Sequence, residues 1–279
     1  MGALLALTSA VCYGIVDFAG GILSRRAPFT AVTLLGQLGG LLLAAVAALL
    51  VPASSVHSAD LCWGALSGVG SAAAMLLLNR GLSRGAMSVV VPVSAVTSVV
   101  LSVLGGVLLL GDRPTPVAWT GIAVTAPALW LVSGGRSTFP ESPDAATGRG
   151  TPDGLWASAG VAVQYLALAQ AGPSSGLWPV AAGRLAAVAV LLPTAGRHLR
   201  VPPMRSAQAL LTGAGAALAL SLYLLATQRQ MLAVAVVLAS LYPTLPVILG
   251  LAVLHERVDR RQAAGLLGAA AATVLLALG

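Results

Sequence analysis

The chain has 279 residues, of which 58% are hydrophobic and only 8% charged. Soluble domains carry about 25% charged residues, so a water-soluble globular fold is excluded. The formal charge of +7 comes from 15 basic residues, all arginine. These are scattered over short loops between apolar runs, without the basic stripe or aromatic-interleaved groove that nucleic-acid binding requires.

Apolar runs of about 18 residues or more recur about ten times, the length a helix needs to cross a bilayer. They are continuous rather than alternating, which excludes barrel strands. The expected fold is an all-α membrane protein of ten transmembrane helices, a multi-pass protein of the cell membrane with no separate soluble domain. The first run reads MGALLALTSAVCYGIVDFAGGILSRR. It has no basic leader and no clear cleavage site before Arg25, so it is expected to be a retained helix over 2–23. Four more spans are predicted over 31–51, 61–79, 86–110 and 116–133. The polar stretch GGRSTFPESPDAATGRGTPDG follows, without periodicity and rich in Gly, Pro, Ser and Asp, and reads as a linker. The remaining spans are predicted over 154–171, 177–195, 207–226, 231–254 and 262–278.

The two five-span halves look alike. LLLGDRPTPVAWTG (Leu108 to Gly121) and AVLHERVDRRQAAG (Ala252 to Gly265) each place an acid–arginine pair after a long apolar run. Each reaches a glycine nine residues past the acid. Gln37 and Arg184 also correspond, each inside the second span of its half. An odd number of spans per half inverts the second half relative to the first, an arrangement that underlies alternating access in many secondary transporters. Loop charge sets the orientation. Twelve arginines (25, 26, 80, 84, 136, 149, 197, 200, 205, 257, 260 and 261) fall on one side and two, Arg113 and Arg229, on the other. The first side is expected to be cytoplasmic, with both termini outside. Trp63, Trp119 and Trp156 fall near span ends, where aromatic side chains anchor at the headgroups.

Polar residues inside apolar runs are the candidate site. Asp17 in YGIVDFAGG and Arg184 in PVAAGRLAAV are costly in a bilayer, roughly 3 kcal/mol or more at its centre. Asp17 is a candidate proton or substrate ligand, or a structural partner of Arg184. Arg184 is a candidate for an anionic substrate group, an internal ion pair, or a cation reaching the membrane surface. Gln37, Gln164 and Tyr165 need polar partners in hydrocarbon and are candidates for a shared cavity or for helix–helix hydrogen bonds. Tyr223, Tyr242 and, more peripherally, Asn79 form a further tier. Pro92 should bend span four, and Pro243 with Pro246 should kink span nine. These positions are candidates for cavity walls or gates. Trp178 opens span seven as an anchor or a cavity residue. Gly36 and Gly40, and Gly64, Gly68 and Gly70, are small-residue faces that permit close helix packing.

No nucleotide loop, no protease or hydrolase signature and no metal-ligand spacing is present. Cys12 and Cys62 read as small hydrophobes, and His57, His198 and His255 form no cluster. No enzyme activity and no cofactor are expected.

The two-by-five layout, LLLGDRPTPVAWTG, the weaker LHERVDRRQAAG, and ASLYPTLPVILG in span nine resemble the EamA-type transporters of the drug/metabolite transporter superfamily. VVVPVSAVTSVVLSVLGGVLLLGD is the matching helix of the first half. The resemblance covers essentially the whole chain. It implies a first EamA-like repeat over 1–135, a linker over 136–153 and a second repeat over 154–279. It also implies a ten-helix carrier that exports or exchanges small metabolites, amino acids or drugs, often coupled to an ion gradient. A carboxylate in the first helix carries proton and substrate binding in the related four-helix multidrug carriers, which makes Asp17 its counterpart by analogy. Two departures stand out. The family commonly has an arginine in the second helix of each half, whereas here Gln37 precedes Arg184, and Ser98 stands where the second half has Pro243. The expected function is proton-coupled export of amino acids or related amphipathic compounds in a bacterial inner membrane. A multidrug or lipid-carrier exporter is the alternative, and an intramembrane enzyme or scaffold is the alternative of a different class. The expected partners are a small-molecule substrate, protons and membrane lipids, with monomer and homodimer left open.

Overall fold

The computed structural model describes residues 2–110, 115–133, 150–195, 201–227, 242–255 and 258–278, and within them every regular element is helical. Ten α-helices follow in order: α1 (Gly2–Arg26), α2 (Phe29–Leu50), α3 (Ser58–Arg84), α4 (Met87–Gly105), α5 (Pro116–Ser133), α6 (Thr151–Leu168), α7 (Trp178–Ala195), α8 (Pro203–Thr227), α9 (Thr244–Val253) and α10 (Arg260–Leu278). Proline starts many of them. Pro28 and Pro243 cap α2 and α9, Pro116 and Pro203 open α5 and α8, and Pro152 lies in the first turn of α6. At a helix start the missing N–H would have no intrahelical partner anyway.

Six helices are long and apolar enough to cross a membrane: α1, α2, α3, α4, α7 and α8. On α1, the exposed Leu4, Leu7, Val11 and Ile15 recur at helical spacing and form one apolar outer stripe. Such a stripe is stable only against lipid, and the protein is a multi-pass integral membrane protein. Trp63, Trp119 and Trp156 are likewise exposed near the starts of α3, α5 and α6.

Several boundaries differ from the hydropathy expectation. Helix α3 runs from Ser58 to Arg84, well past 61–79, because Asn79, Arg80 and Arg84 are good helix formers or tolerated at a polar end although they lower local hydropathy. Helix α6 starts at Thr151, so the last residues assigned to the linker are helical. Pro152 and Asp153 both suit a first turn, the acid by complementing the helix dipole. Span four continues through a π-helical turn at Gly106–Leu110. Pro92 lies inside an unbroken α4 and is buried. Pro243 does not sit within a kinked helix among the described residues. It caps α9, and Pro246 falls in that helix's first turn. Asp112–Arg113, Glu256–Arg257, Arg229, residues 134–149 of the linker and residues 231–241 of span nine lie outside the described residues.

Helix α3 packs between α6 and α7, α8 packs between α1 and α2, and α2 meets α7 directly. Helix α4 lies on α6, α9 on α1, and α5 pairs with α10. Glycines set the closest crossings. A β-carbon on Gly213 would run into the carbonyl of Gly36, and one on Gly68 into the carbonyl of Gly183. Backbones this close leave no room for any other residue, the small-residue packing that membrane helices use.

Candidate functional site

The two closest crossings deliver the central polar pair. Gly36 precedes Gln37 on α2, and Gly183 precedes Arg184 on α7. Both side chains are buried, and Arg184 Nη1 donates to Gln37 Oε1 at 2.7 Å. Gln37 Nε2 in turn donates to Ser71 Oγ on α3 at 3.4 Å. The guanidinium is held by neutral oxygen, and among the described residues Asp17 makes no ion pair with it.

Two clefts flank this pair. The larger is lined by Asp17, Gly20, Thr33, Gly36, Gln37, Met75, Asn79, Arg184, Thr212 and Gly213 among others. The smaller is lined by Ser67, Gly68, Ser71, Gln164, Leu168, Val180, Gly183, Arg184 and Leu220. Arg184 reaches both. The first cleft descends past Asn79 and Thr33 toward the end of the bundle where Arg25, Arg26, Arg80, Arg84 and Arg205 gather. There Arg25 donates to the carbonyls of Leu82 and Gly85, Arg205 to that of Arg26, and Arg80 and Arg84 lie 3.6 and 4.0 Å from Asp153. The second cleft lies toward the opposite end. That end is closed by contacts between the α2–α3 and α6–α7 loops: Asp60 accepts from the Gly172 N–H at 2.8 Å and from Ser175 Oγ, whose single hydrogen has the Ser55 carbonyl, 3.2 Å away, as its alternative acceptor.

Around Asp17 and Arg184 stand all four tyrosines of the chain. The rings of Tyr13 and Tyr242 lie 6.0 Å apart. Tyr13 feels the charges of Asp17 and Arg184 and interacts electrostatically with Tyr165 and Tyr223, while Tyr242 interacts with Asp17, Tyr165 and Tyr13. Tyr165 is 41% exposed and in electrostatic range of Asp17, Arg184 and Tyr223. Asp17, Arg184, Gln37, Gln164, Tyr165, Tyr223 and Tyr242 are therefore brought together. Trp178 is not part of a cleft lining. It packs against the cluster of Ala44, Ala48, Val180, Ala181 and Leu220, alongside Tyr13. Pro92 belongs to the buried face of α4, and Pro243 enters through its neighbour Tyr242.

Thr33, Ser67, Ser71 and Thr212 were not singled out by sequence, because hydroxyl residues are unremarkable in membrane helices. A signal was present nonetheless. Ser67-Gly68-Val69-Gly70-Ser71-Ala72 and Thr212-Gly213-Ala214-Gly215-Ala216-Ala217 are the same pattern in the third helix of each half.

The described residues form a helical bundle with no strand, enclosing buried polar groups, the build of a multi-pass membrane protein. Residues 1–134 match the EamA-like transporter family. An EamA-family domain thus occupies roughly half the chain, consistent with a membrane transporter of the general EamA type. Among solved structures, one crystal structure of a protein superposes on 99% of this chain and 96% of its own, with a TM-score of 0.60 at 20% identity. That likeness establishes the fold. No curated protein matches significantly.

Proposed function

We propose that this protein is a secondary active transporter that works by alternating access between two inverted five-helix repeats, residues 1–135 and 154–279, and exports amino acids or related amphipathic compounds in exchange for protons. The observation that carries this reading is the pair of clefts on either side of Gln37 and Arg184, whose linings correspond between halves. Asp17 stands twenty residues before Gln37, and Gln164 twenty before Arg184. On the same register Thr33 matches Val180, Gly36 matches Gly183, and Thr212-Gly213 matches Ser67-Gly68. The helix pairings support the same symmetry: α3 with α6 and α7 corresponds to α8 with α1 and α2, and α4 with α6 corresponds to α9 with α1.

Related clefts facing opposite ends are what alternating access requires, since rocking one half against the other widens one as it narrows the other. Asp17 supplies a titratable group in one cleft, and Arg184 supplies a cation that both clefts share. The tyrosines offer flat apolar surfaces with polar tips, suited to an amphipathic solute. The test is reconstitution in liposomes containing a trapped pH dye, challenged in turn with amino acids, nucleosides, sugars and cationic drugs. Proton movement dependent on an amino acid and lost in Asp17→Asn is the expected result. Coupled movement that survives the substitution would remove Asp17 from the mechanism. Movement with cationic drugs alone would replace the amino-acid reading with a multidrug one.

A further inference from the structure

The cleft beneath Asp17 is lined by three side-chain oxygens that no donor reaches among the described residues. Asp17 is nine-tenths buried and lines the cleft, and it makes no hydrogen bond or ion pair among the described residues. Asn79 on α3 is 4% exposed, and its orientation is fixed by hydrogen-bond logic. Thr33 Oγ1 gives its only hydrogen to the Phe29 carbonyl at 2.8 Å, so it can only accept from its other neighbour. That neighbour is Asn79 Nδ2, 2.9 Å away. The amide oxygen must then point the other way, and it lies 3.6 Å from where a β-carbon on Gly20 would be, against α1 one turn past Asp17. Among the described residues no donor reaches it. Thr212 on α8 likewise gives its hydrogen to the Ala209 carbonyl at 2.8 Å and presents only lone pairs to the cleft it lines.

We infer that this cleft is a binding site for one small monovalent cation, held by the Asp17 carboxylate, Asn79 Oδ1 and Thr212 Oγ1, with Na⁺ as the ion that best suits it. One carboxylate with neutral oxygens balances a single positive charge, and hard cations select oxygen ligands. A carboxylate and an amide oxygen that share a confined cleft inside the bundle without protein donors favour a positive charge between them, and one cation satisfies both. Arg184 does not occupy this role. Arg184 also lines this cleft, but its Nη1 donates to Gln37 and its Cδ and Nε lie against Gly40, seven residues along α2 from Thr33, or about 10 Å.

The sister cleft argues that these groups are not there for packing. At the equivalent positions it carries Gln164 for Asp17 and Val180 for Thr33, and the sequence register places Leu224 opposite Asn79. The same backbone crossing is built there without a carboxylate, so the charged acceptor marks one of the two clefts.

The site goes beyond proton-coupled export and is tested without transport. The purified protein in detergent is melted in NaCl, KCl, methylammonium chloride and choline chloride at constant ionic strength. Na⁺ is expected to raise the midpoint saturably, by about 2–6 °C at high occupancy, relative to choline. The rise should vanish in Asp17→Asn and in Asn79→Leu, the latter carrying the sister position's residue in case the former does not fold. A rise with methylammonium and not Na⁺ keeps the cation site and assigns it to the amino group of a substrate. Equal midpoints in all four salts, or a Na⁺ rise that persists in both variants, overturns the proposal. Neither result would alter the liposome outcome for protons.

Discussion

Arg184 on α7 and Gln37 on α2 hold each other at 2.7 Å across the contact between the two halves of the chain. A charge-assisted hydrogen bond in a low-dielectric interior is stronger than a neutral one, and removing either partner leaves the other buried and unsatisfied. Arg184→Met and Gln37→Leu should each destabilise the detergent-solubilised protein by about 1–3 kcal/mol. The double variant should cost less than the sum, because both polar groups are gone. Thermal melts of the four proteins measure the coupling. Strict additivity would mean that the two side chains do not interact in the folded state.

The glycine crossings give a sharper contrast. An added methyl at Gly213 or Gly68 would meet a backbone carbonyl of the neighbouring helix, which cannot rotate away. An added methyl at Gly36 would find its nearest neighbour, the Ala209 carbonyl, at 3.7 Å, which is ordinary contact. Gly213→Ala and Gly68→Ala should therefore each cost about 1–3 kcal/mol, and Gly36→Ala close to nothing, although Gly36 and Gly213 belong to one crossing. Comparable losses at all three sites would show that the helices do not cross where described.

How far the sequence anticipates this arrangement depends on which physical signal each feature leaves. Bilayer-length apolar runs leave a strong one, so the ten helices were legible, as was the anomaly of Asp17 and Arg184 among hydrocarbon. Helix ends were less so, since α3 continues through Asn79, Arg80 and Arg84 where hydropathy falls but helix propensity does not. Partners were least legible. Asp17 and Arg184 have opposite charge, so an ion pair was a natural expectation. Arg184 instead bonds Gln37, because the two glycine crossings bring those positions face to face. That relation between helices distant in sequence leaves no local trace. Asn79 was assigned a peripheral place for the same reason. Its role depends on which way its amide turns, and this is set by Thr33, 46 residues earlier.

The arginine distribution predicts the topology, and the two cysteines test it. Cys62 is exposed near the start of α3, at the end of the bundle opposite the arginine cluster, and Cys12 is half-buried within α1. With the arginines cytoplasmic, a membrane-impermeant maleimide added to intact cells should label wild type. It should not label Cys62→Ser, and Cys12→Ser should behave as wild type. Labelling of Cys62 only after permeabilisation would invert the orientation and with it the direction each cleft faces.

The loop contacts around Asp60 hold shut the end of the bundle above the Gln164 cleft. Asp60 takes the Gly172 N–H and Ser175 Oγ, while Ser55 and Ser54 reach the Ser174 carbonyl, so one loop from each half is tied to the other. Asp60→Ala removes the acceptor at the centre of this latch, leaving the Gly172 N–H unpaired and Ser175 Oγ only the Ser55 carbonyl. The loss falls on the closed arrangement alone, since an open one lets water satisfy the same donors. The opening equilibrium should then shift by roughly 5- to 150-fold. Ser67 lines the cleft beneath the latch, and a cysteine placed there by Ser67→Cys, in a chain with Cys12→Ser and Cys62→Ser, reports the change. Its reaction rate with a water-soluble maleimide should rise by that factor when Asp60→Ala is added. Thr33→Cys, in the opposite cleft, should react more slowly, because an alternating mechanism closes one path as it opens the other. A parallel rise at both positions would indicate general loosening of the bundle rather than a shift between two states.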